Sequence, residues 1–164
     1  MKRYVIAVYV ENKYGVVARV AGLFMRRGFN IDSLAVGVTN DPRVSRITIV
    51  ANGDEYVIEQ LEKQLNKVIP VIKVKRLNER DFISRELTLI KVHCPANKRA
   101  EIMTTVEVMQ AKIVDVATNC ITVEYCEYAG RVNTLIELLK PYGIREIVRT
   151  GTVAIERGAA SVSV

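Results

Sequence analysis

The residues best placed to do chemistry lie in one short stretch, Val10-Glu11-Asn12-Lys13-Tyr14-Gly15-Val16-Val17, where an apolar run hands over to a helical pattern. The chemistry is binding rather than bond-making. A helix start leaves backbone N–H groups without intrahelical acceptors, and its dipole adds positive potential, so it suits a carboxylate. Gly15 has no Cβ, which lets a carboxylate approach the amides of Gly15, Val16 and Val17. Asn12 carries an amide that both donates and accepts, as a zwitterionic amino acid requires. Hydrogen bonds to a charged group contribute roughly 1.5–3 kcal/mol each, so two or three give a micromolar to millimolar sensor. The same Asn–x–x–Gly spacing also serves ordinary turns, in which both residues satisfy only local backbone geometry. Spacing alone leaves both readings open.

Other reactive residue types carry less. His93 is the only histidine and stands beside Cys94, with no third ligand at a spacing that suits a metal. Adjacent strand residues point to opposite faces, so the two do not form a nucleophile–base pair, and His93 reads as structural. Gly53-Asp54-Glu55 matches the start of a thiamine-diphosphate motif, but the chain is too short to house that cofactor. Met103 and Met109 sit at helical spacing with Val106 and read as core. Cys94, Cys120 and Cys126 show no paired short spacing, and buried thiols in a reducing cytoplasm are the expectation.

The elements that must hold the loop are legible from periodicity. Residues 3–10 are apolar on both sides of the pleat and read as a central strand. A helix follows, with Val16, Val20 and Phe24 inward, Arg19 and Arg26 outward, and Gly28 as its C-terminal cap. Phe29–Val38 and Val44–Ala51 read as strands around the turn residues Thr39-Asn40-Asp41-Pro42. Asp54 caps a second helix with the stripe Val57, Leu61, Leu65 and Val68, closed by Pro70, and Val71–Leu77 is a fourth strand. Asn78–Ser84 is polar and reads as a linker.

The order then repeats. Leu87–His93 is a strand, and Pro95-Ala96-Asn97 opens a helix with Ile102, Met103, Val106 and Met109 inward. Lys112–Ala117 and Ile121–Tyr125 form a hairpin around Thr118-Asn119-Cys120. Val132, Leu135, Ile136 and Leu139 line a last helix stopped by Pro141 and Gly143, and Ile144–Val148 is the last strand. The expected fold is therefore α+β, two tandem ferredoxin-like βαββαβ domains. The expected division is 1–77, a linker at 78–84, and 85–164. A single sheet with helices on one side leaves its other face bare, so pairing with a second copy is expected.

Composition sets the outer bounds. Of the 164 residues, 49% are hydrophobic and 26% charged, which argues against disorder. No apolar run approaches the roughly 18 residues that cross a bilayer, and Met1–Ile6 reads as a strand of the fold rather than a signal peptide. The net charge of +6 is spread along the chain, with its densest group at Lys73, Lys75 and Arg76 in a strand, so it reads as a solvated surface. Arg46-Ile47-Thr48-Ile49-Val50 offers no aromatic platform for bases, which counts against an RNA-binding role.

The stretch Glu11-Asn12-Lys13-Tyr14-Gly15-Val16-Val17-Ala18-Arg19-Val20-Ala21-Gly22-Leu23-Phe24, continued by Arg27–Leu34, resembles the small subunit of acetolactate synthase, or acetohydroxyacid synthase. Asp41-Pro42, Ser45–Ile49, Glu59–Lys67, Arg85-Glu86-Leu87 and Arg149–Gly158 extend the resemblance along nearly the whole chain. It implies an N-terminal ACT domain that pairs through one continuous sheet into a homodimer or higher homo-oligomer, and a non-catalytic regulatory subunit of the cytoplasm. The implied partner is the catalytic large subunit, which carries thiamine diphosphate, Mg and FAD; no cofactor is expected in this chain. The implied function is activation of that partner and feedback inhibition by valine in branched-chain amino acid (valine and isoleucine) biosynthesis.

By the same resemblance, Asn12 and the amides of Gly15, Val16 and Val17 hold the effector, and Asn30 and Ile31 of a second chain complete the site. Ala18 stands where relatives often have a small hydroxyl residue, which removes one hydrogen bond. His93-Cys94-Pro95-Ala96-Asn97 has no glycine at the equivalent helix entrance, so no such site is expected in the second half. The rival readings are a free-standing ACT-domain regulator of another enzyme or of transcription, and a small basic RNA-binding protein.

Overall fold

A computed structural model of the chain describes residues 2–26, 29–78 and 80–161. The chain divides into two compact units, Met1–Ile83 with Thr152–Val164, and Ser84–Gly151. The expected domain 85–164 therefore differs at its far end, because Thr152 onward groups with the first unit.

The first unit begins with β1 (Lys2–Glu11), α1 (Val16–Arg26), β2 (Ile31–Val38), β3 (Val44–Gly53), α2 (Glu55–Leu65) and β4 (Val71–Leu77). Its sheet order is β2-β3-β1-β4, antiparallel throughout, so β2 is an edge strand. Ile6, Val8 and Val10 of β1 pack with Ile47, Ile49, Val20, Phe24, Ile58 and Leu61 in the core between sheet and helices. Each such side chain contributes about 1.5–3 kcal/mol on full burial, which explains why the 3.6- and 2-residue patterns dominate the local choice of element. Asp54 caps α2 as expected, its Oδ1 accepting from Val57 N–H at 2.8 Å. The inward stripe is Ile58, Leu61 and Leu65 instead of one starting at Val57, which is only half-buried. The helix ends at Leu65, so Val68 and Pro70 lie beyond it. Gly28, expected as the cap of α1, lies outside the described residues.

The second unit holds most of β5 (Phe82–His93), then α3 (Arg99–Val108), β6 (Lys112–Ala117), β7 (Cys120–Glu127), α4 (Ala129–Leu139) and β8 (Ile144–Arg149). Its sheet order, β6-β7-β5-β8, repeats that of the first. Ile102, Val106 and Met109 are buried with Ile90, Val92, Val123 and Leu135, whereas Met103 is exposed, against the expectation that it is core. Phe82–Ser84, expected in the linker, opens strand β5. Cys94 and Cys120 are buried thiols, but Cys126 is exposed. No helix among the described residues is long and apolar enough to cross a membrane.

One strand was not expected. β9 (Val153–Glu156) pairs with β5 and packs Ala154 against Val5, Ala7, Tyr9, Val50 and Leu77. The outer face of the first sheet, expected to stay bare for a second copy, is covered by this segment and Phe82. On the second sheet Leu87, Leu89 and Val148 remain exposed on the corresponding face.

Candidate functional site

The handover from β1 to α1 is held at three points. Glu11 N–H donates to the Pro70 carbonyl at 2.9 Å, and Asn12 N–H donates to the Arg43 carbonyl at 2.7 Å. The Asn12 side chain donates from Nδ2 to the Pro42 carbonyl at 2.9 Å. Asn12 thus ties the loop to the β2–β3 turn, so the local role read as an alternative for this residue is real. One amide hydrogen and both lone pairs of Oδ1 remain for a ligand by the valence of the group. Lys13 N–H closes a three-residue turn on Glu11 O at 2.9 Å, and Lys13 Nζ pairs with the Glu11 carboxylate at 2.8 Å.

Gly15 is where the geometry requires a particular residue. Its φ is +77°, and a Cβ there would meet nothing within 4 Å. The Cβ direction of Gly15 is therefore open, and the left-handed conformation disfavours any residue with a Cβ. The Gly15 carbonyl accepts from Arg19 N–H at 3.0 Å and so starts the helix. The amides of Val16, Val17 and Ala18 then point out of the helix start with no intrahelical acceptor. Val16 anchors this end by burying its side chain in the core, while Val17 is 40% exposed beside the amides. No acidic side chain stands in the first turn of α1. A carboxylate would meet free donors, the positive helix end and an apolar side chain together.

The β2–β3 turn that Asn12 grips is itself locked. Asp41 Oδ1 accepts from Arg43 N–H at 2.9 Å, its Oδ2 pairs with Arg43 Nη2 at 2.7 Å, and Val44 N–H donates to Asp41 O at 2.9 Å. Hydrogen bonding from the Arg43 side chain, then from its backbone, holds the Asp41 carboxyl down at about 2. Sequence reasoning placed Asp41 and Pro42 in a turn but did not join that turn to Asn12, because no spacing rule links residues thirty positions apart.

Asn30 and Ile31 are not at this place in the chain. Asn30 is exposed and precedes β2, and Ile31 is opposite Ala51, which in turn lies opposite Tyr4. Asn12 lies past Val10, at the other end of the same sheet. With about 3.3 Å per residue along β1, the eight residues from Tyr4 to Asn12 put the two groups roughly 26 Å apart. Within one chain the structure joins Asn12, Gly15, Val16 and Val17 and leaves Asn30 and Ile31 at the far end.

Two ferredoxin-like halves, the first with a glycine-opened helix entrance beside an edge strand, define a protein of the ACT-domain class. Residues 6–73 match the family model described as AHAS small subunit-like ACT domain, and residues 85–158 match that of the small subunit of acetolactate synthase. The chain belongs to the acetolactate synthase small-subunit family. It is 51% identical to a probable acetolactate synthase small subunit of Archaeoglobus fulgidus, over 95% of this chain and 98% of that protein. It is 46% identical to the acetolactate synthase small subunit of Mycolicibacterium smegmatis, covering 97% of this chain and 94% of that one. The crystal structure of the acetolactate synthase small subunit from Thermotoga maritima superposes with a TM-score of 0.89 at 38% identity, over 98% of this chain and all of that one.

Proposed function

We propose that this chain binds the catalytic subunit of acetolactate synthase, raises its activity, and conveys inhibition when valine occupies the entrance of α1. The observation that carries the reading is Gly15, whose φ of +77° and open Cβ direction leave the first-turn amides accessible. The amides of Gly15, Val16 and Val17 take the valine carboxylate, and Asn12 Oδ1 takes the ammonium.

The site is completed by a second copy. β2 is an edge strand with unpaired backbone groups, which a second β2 can satisfy. In a two-fold antiparallel pairing the start of one β2 lies beside the end of the other. That brings Asn30 and Ile31 of the second copy to the end of the sheet where Asn12 stands, across the roughly 26 Å that separates them in one chain. Valine then favours one arrangement of the paired ACT domains over another, and only its differential affinity for the two can change the partner's activity.

Isothermal titration of the purified chain with valine, leucine, isoleucine and glycine tests the reading. Saturable binding of a branched-chain amino acid that weakens several-fold in Asn12→Ala is the expected result. Absence of binding by all four removes the effector from the isolated chain. Reconstitution with the catalytic subunit then tests activation by itself.

A further inference from the structure

Residues 152–157 form a strap across the outer face of the ACT sheet, and alternate side chains point onto it. Thr152 is buried; its N–H donates to Ser33 Oγ at 3.2 Å, and its Oγ1 accepts from Arg3 Nη2 at 3.2 Å. Ala154 places its methyl in the cluster of Val5, Ala7, Tyr9 and Val50, and its carbonyl accepts from the Arg46 guanidinium. Glu156 pairs with Lys75 at 2.7 Å. Val153 and Ile155, between these contacts, face outward and are exposed. Arg3, Ser33, Arg46 and Lys75 lie on β1, β2, β3 and β4 respectively, so the strap bridges every strand of the sheet.

Two details bear on regulation. Ser33 follows Ile31 by two residues, at a shift of register between β2 and β3. The strap therefore grips β2 where that strand is least regularly paired, beside the residues read as completing the effector site. Arg46 stacks over the Tyr9 ring at 5.4 Å and bonds Tyr9 Oη at 3.1 Å, yet its Nε is buried without an acceptor. Gly151, at φ +83°, precedes the strap and supplies a backbone conformation that other residues rarely adopt.

We propose that docking of the strap is thermodynamically linked to effector binding: Thr152, acting through Ser33, is a positioning residue that fixes the first residues of β2 in the conformation that takes the amino acid. The choice of valine as ligand rests on the function proposed above; the contacts do not. Linkage is reciprocal, so an effector that prefers the docked form must also tighten the strap. If only part of the population is docked, apparent affinity falls by the undocked fraction.

The test uses the full chain with two variants. Ser33→Ala removes the acceptor of Thr152 N–H, and Glu156→Gln loosens the strap at Lys75 without touching β2. Amide hydrogen exchange at residues 31–36 and 152–156, without ligand, is expected to quicken roughly 2- to 10-fold in Ser33→Ala, the factor of one lost hydrogen bond. The same two segments quicken in Glu156→Gln, and valine affinity falls in both variants in proportion to the docked fraction lost. Saturating valine slows exchange at 152–156 in the unsubstituted chain. The proposal is overturned if 152–156 quickens in Glu156→Gln while 31–36 and valine affinity stay unchanged. If the unsubstituted chain binds no branched-chain amino acid, the effector reading fails, and exchange at 31–36 in Glu156→Gln alone decides the strap.

Discussion

The two halves hand a strand over to a helix in different ways. In the first, Gly15 turns the backbone left-handed and the helix start stays open, with no acidic residue in its first turn. In the second, Ala96–Lys98 winds a 3-10 turn behind Pro95, and Lys98 N–H donates to Pro95 O at 3.0 Å. Glu101, third residue of α3, places its own carboxylate in the first turn. Lys98 Nζ at 2.9 Å and Tyr142 Oη at 2.5 Å hold it there, the tyrosine first among the causes that lower its pKa. The first entrance thus carries no carboxylate in its opening turn, and the second carries one held by its own neighbours.

Substitutions can break that contrast, and the largest effect is expected at Gly15. Gly15→Asp puts a carboxylate where the ligand's belongs, and calorimetry should show valine affinity falling on the order of 100-fold, the loss of two hydrogen bonds to a charged group. No protein atom lies within 4 Å of the new Cβ, so the cost to folding is about 1–2 kcal/mol of backbone strain, and activation of the catalytic subunit should persist. Loss of activation as well would mean that the loop also serves the subunit contact.

Ala18→Glu transplants the arrangement of the second half, since Ala18 is the third residue of α1 as Glu101 is of α3. Thermal denaturation should show a gain of roughly 0.3–1 kcal/mol from the helix dipole. Valine affinity should fall about 10-fold by competition for the same amides, on the order of one hydrogen bond. Unchanged affinity in a stabilised variant would place the carboxylate elsewhere. Asn12→Ala removes the bond to Pro42 O and should cost about 0.5–1.5 kcal/mol of stability with a several-fold loss of affinity. An effect on stability alone would make Asn12 a structural residue, equivalent to those that brace the second entrance.

The smallest effect is in pH. Asp41 has its carboxyl lowered to about 2 by Arg43, so the folded state binds fewer protons there than the unfolded one. Its contribution to the turn is full above the ordinary carboxylate value of about 4 and is lost as pH falls from there toward 2. An NMR titration of the Asp41 carboxyl should place its midpoint near 2, and Asn12 side-chain signals should shift with it.

The sequence made the β-α-β-β-α-β order plain in both halves because each strand and helix buries a periodic apolar face. Phase was harder within helices. α2 turns Ile58 inward instead of Val57, and α3 leaves Met103 exposed, because neighbouring apolar residues let a helical stripe be drawn one position off. The loop at Asn12 and Gly15 stood out in the sequence, but its spacing suits an ordinary turn as well as a carboxylate, and the resemblance rather than the spacing chose between them. β9 was not, since Val153–Glu156 is short and its partners are about seventy or more residues away. The polar surroundings of Phe82 likewise hid the start of β5, whose partner β9 is equally remote.

That the strap belongs to the first unit has a consequence for how the chain is made. Residues 84–151 stand between β4 with its neighbouring residues and the segment that covers their sheet. At ribosomal rates of about 5–20 residues per second, several seconds pass before the covering segment is synthesised. Throughout that interval Val5, Ala7, Tyr9 and Val50 present an uncovered apolar surface. On a polysome, an earlier chain's finished strap competes for the same surface, which is the general route to exchange of an element between copies.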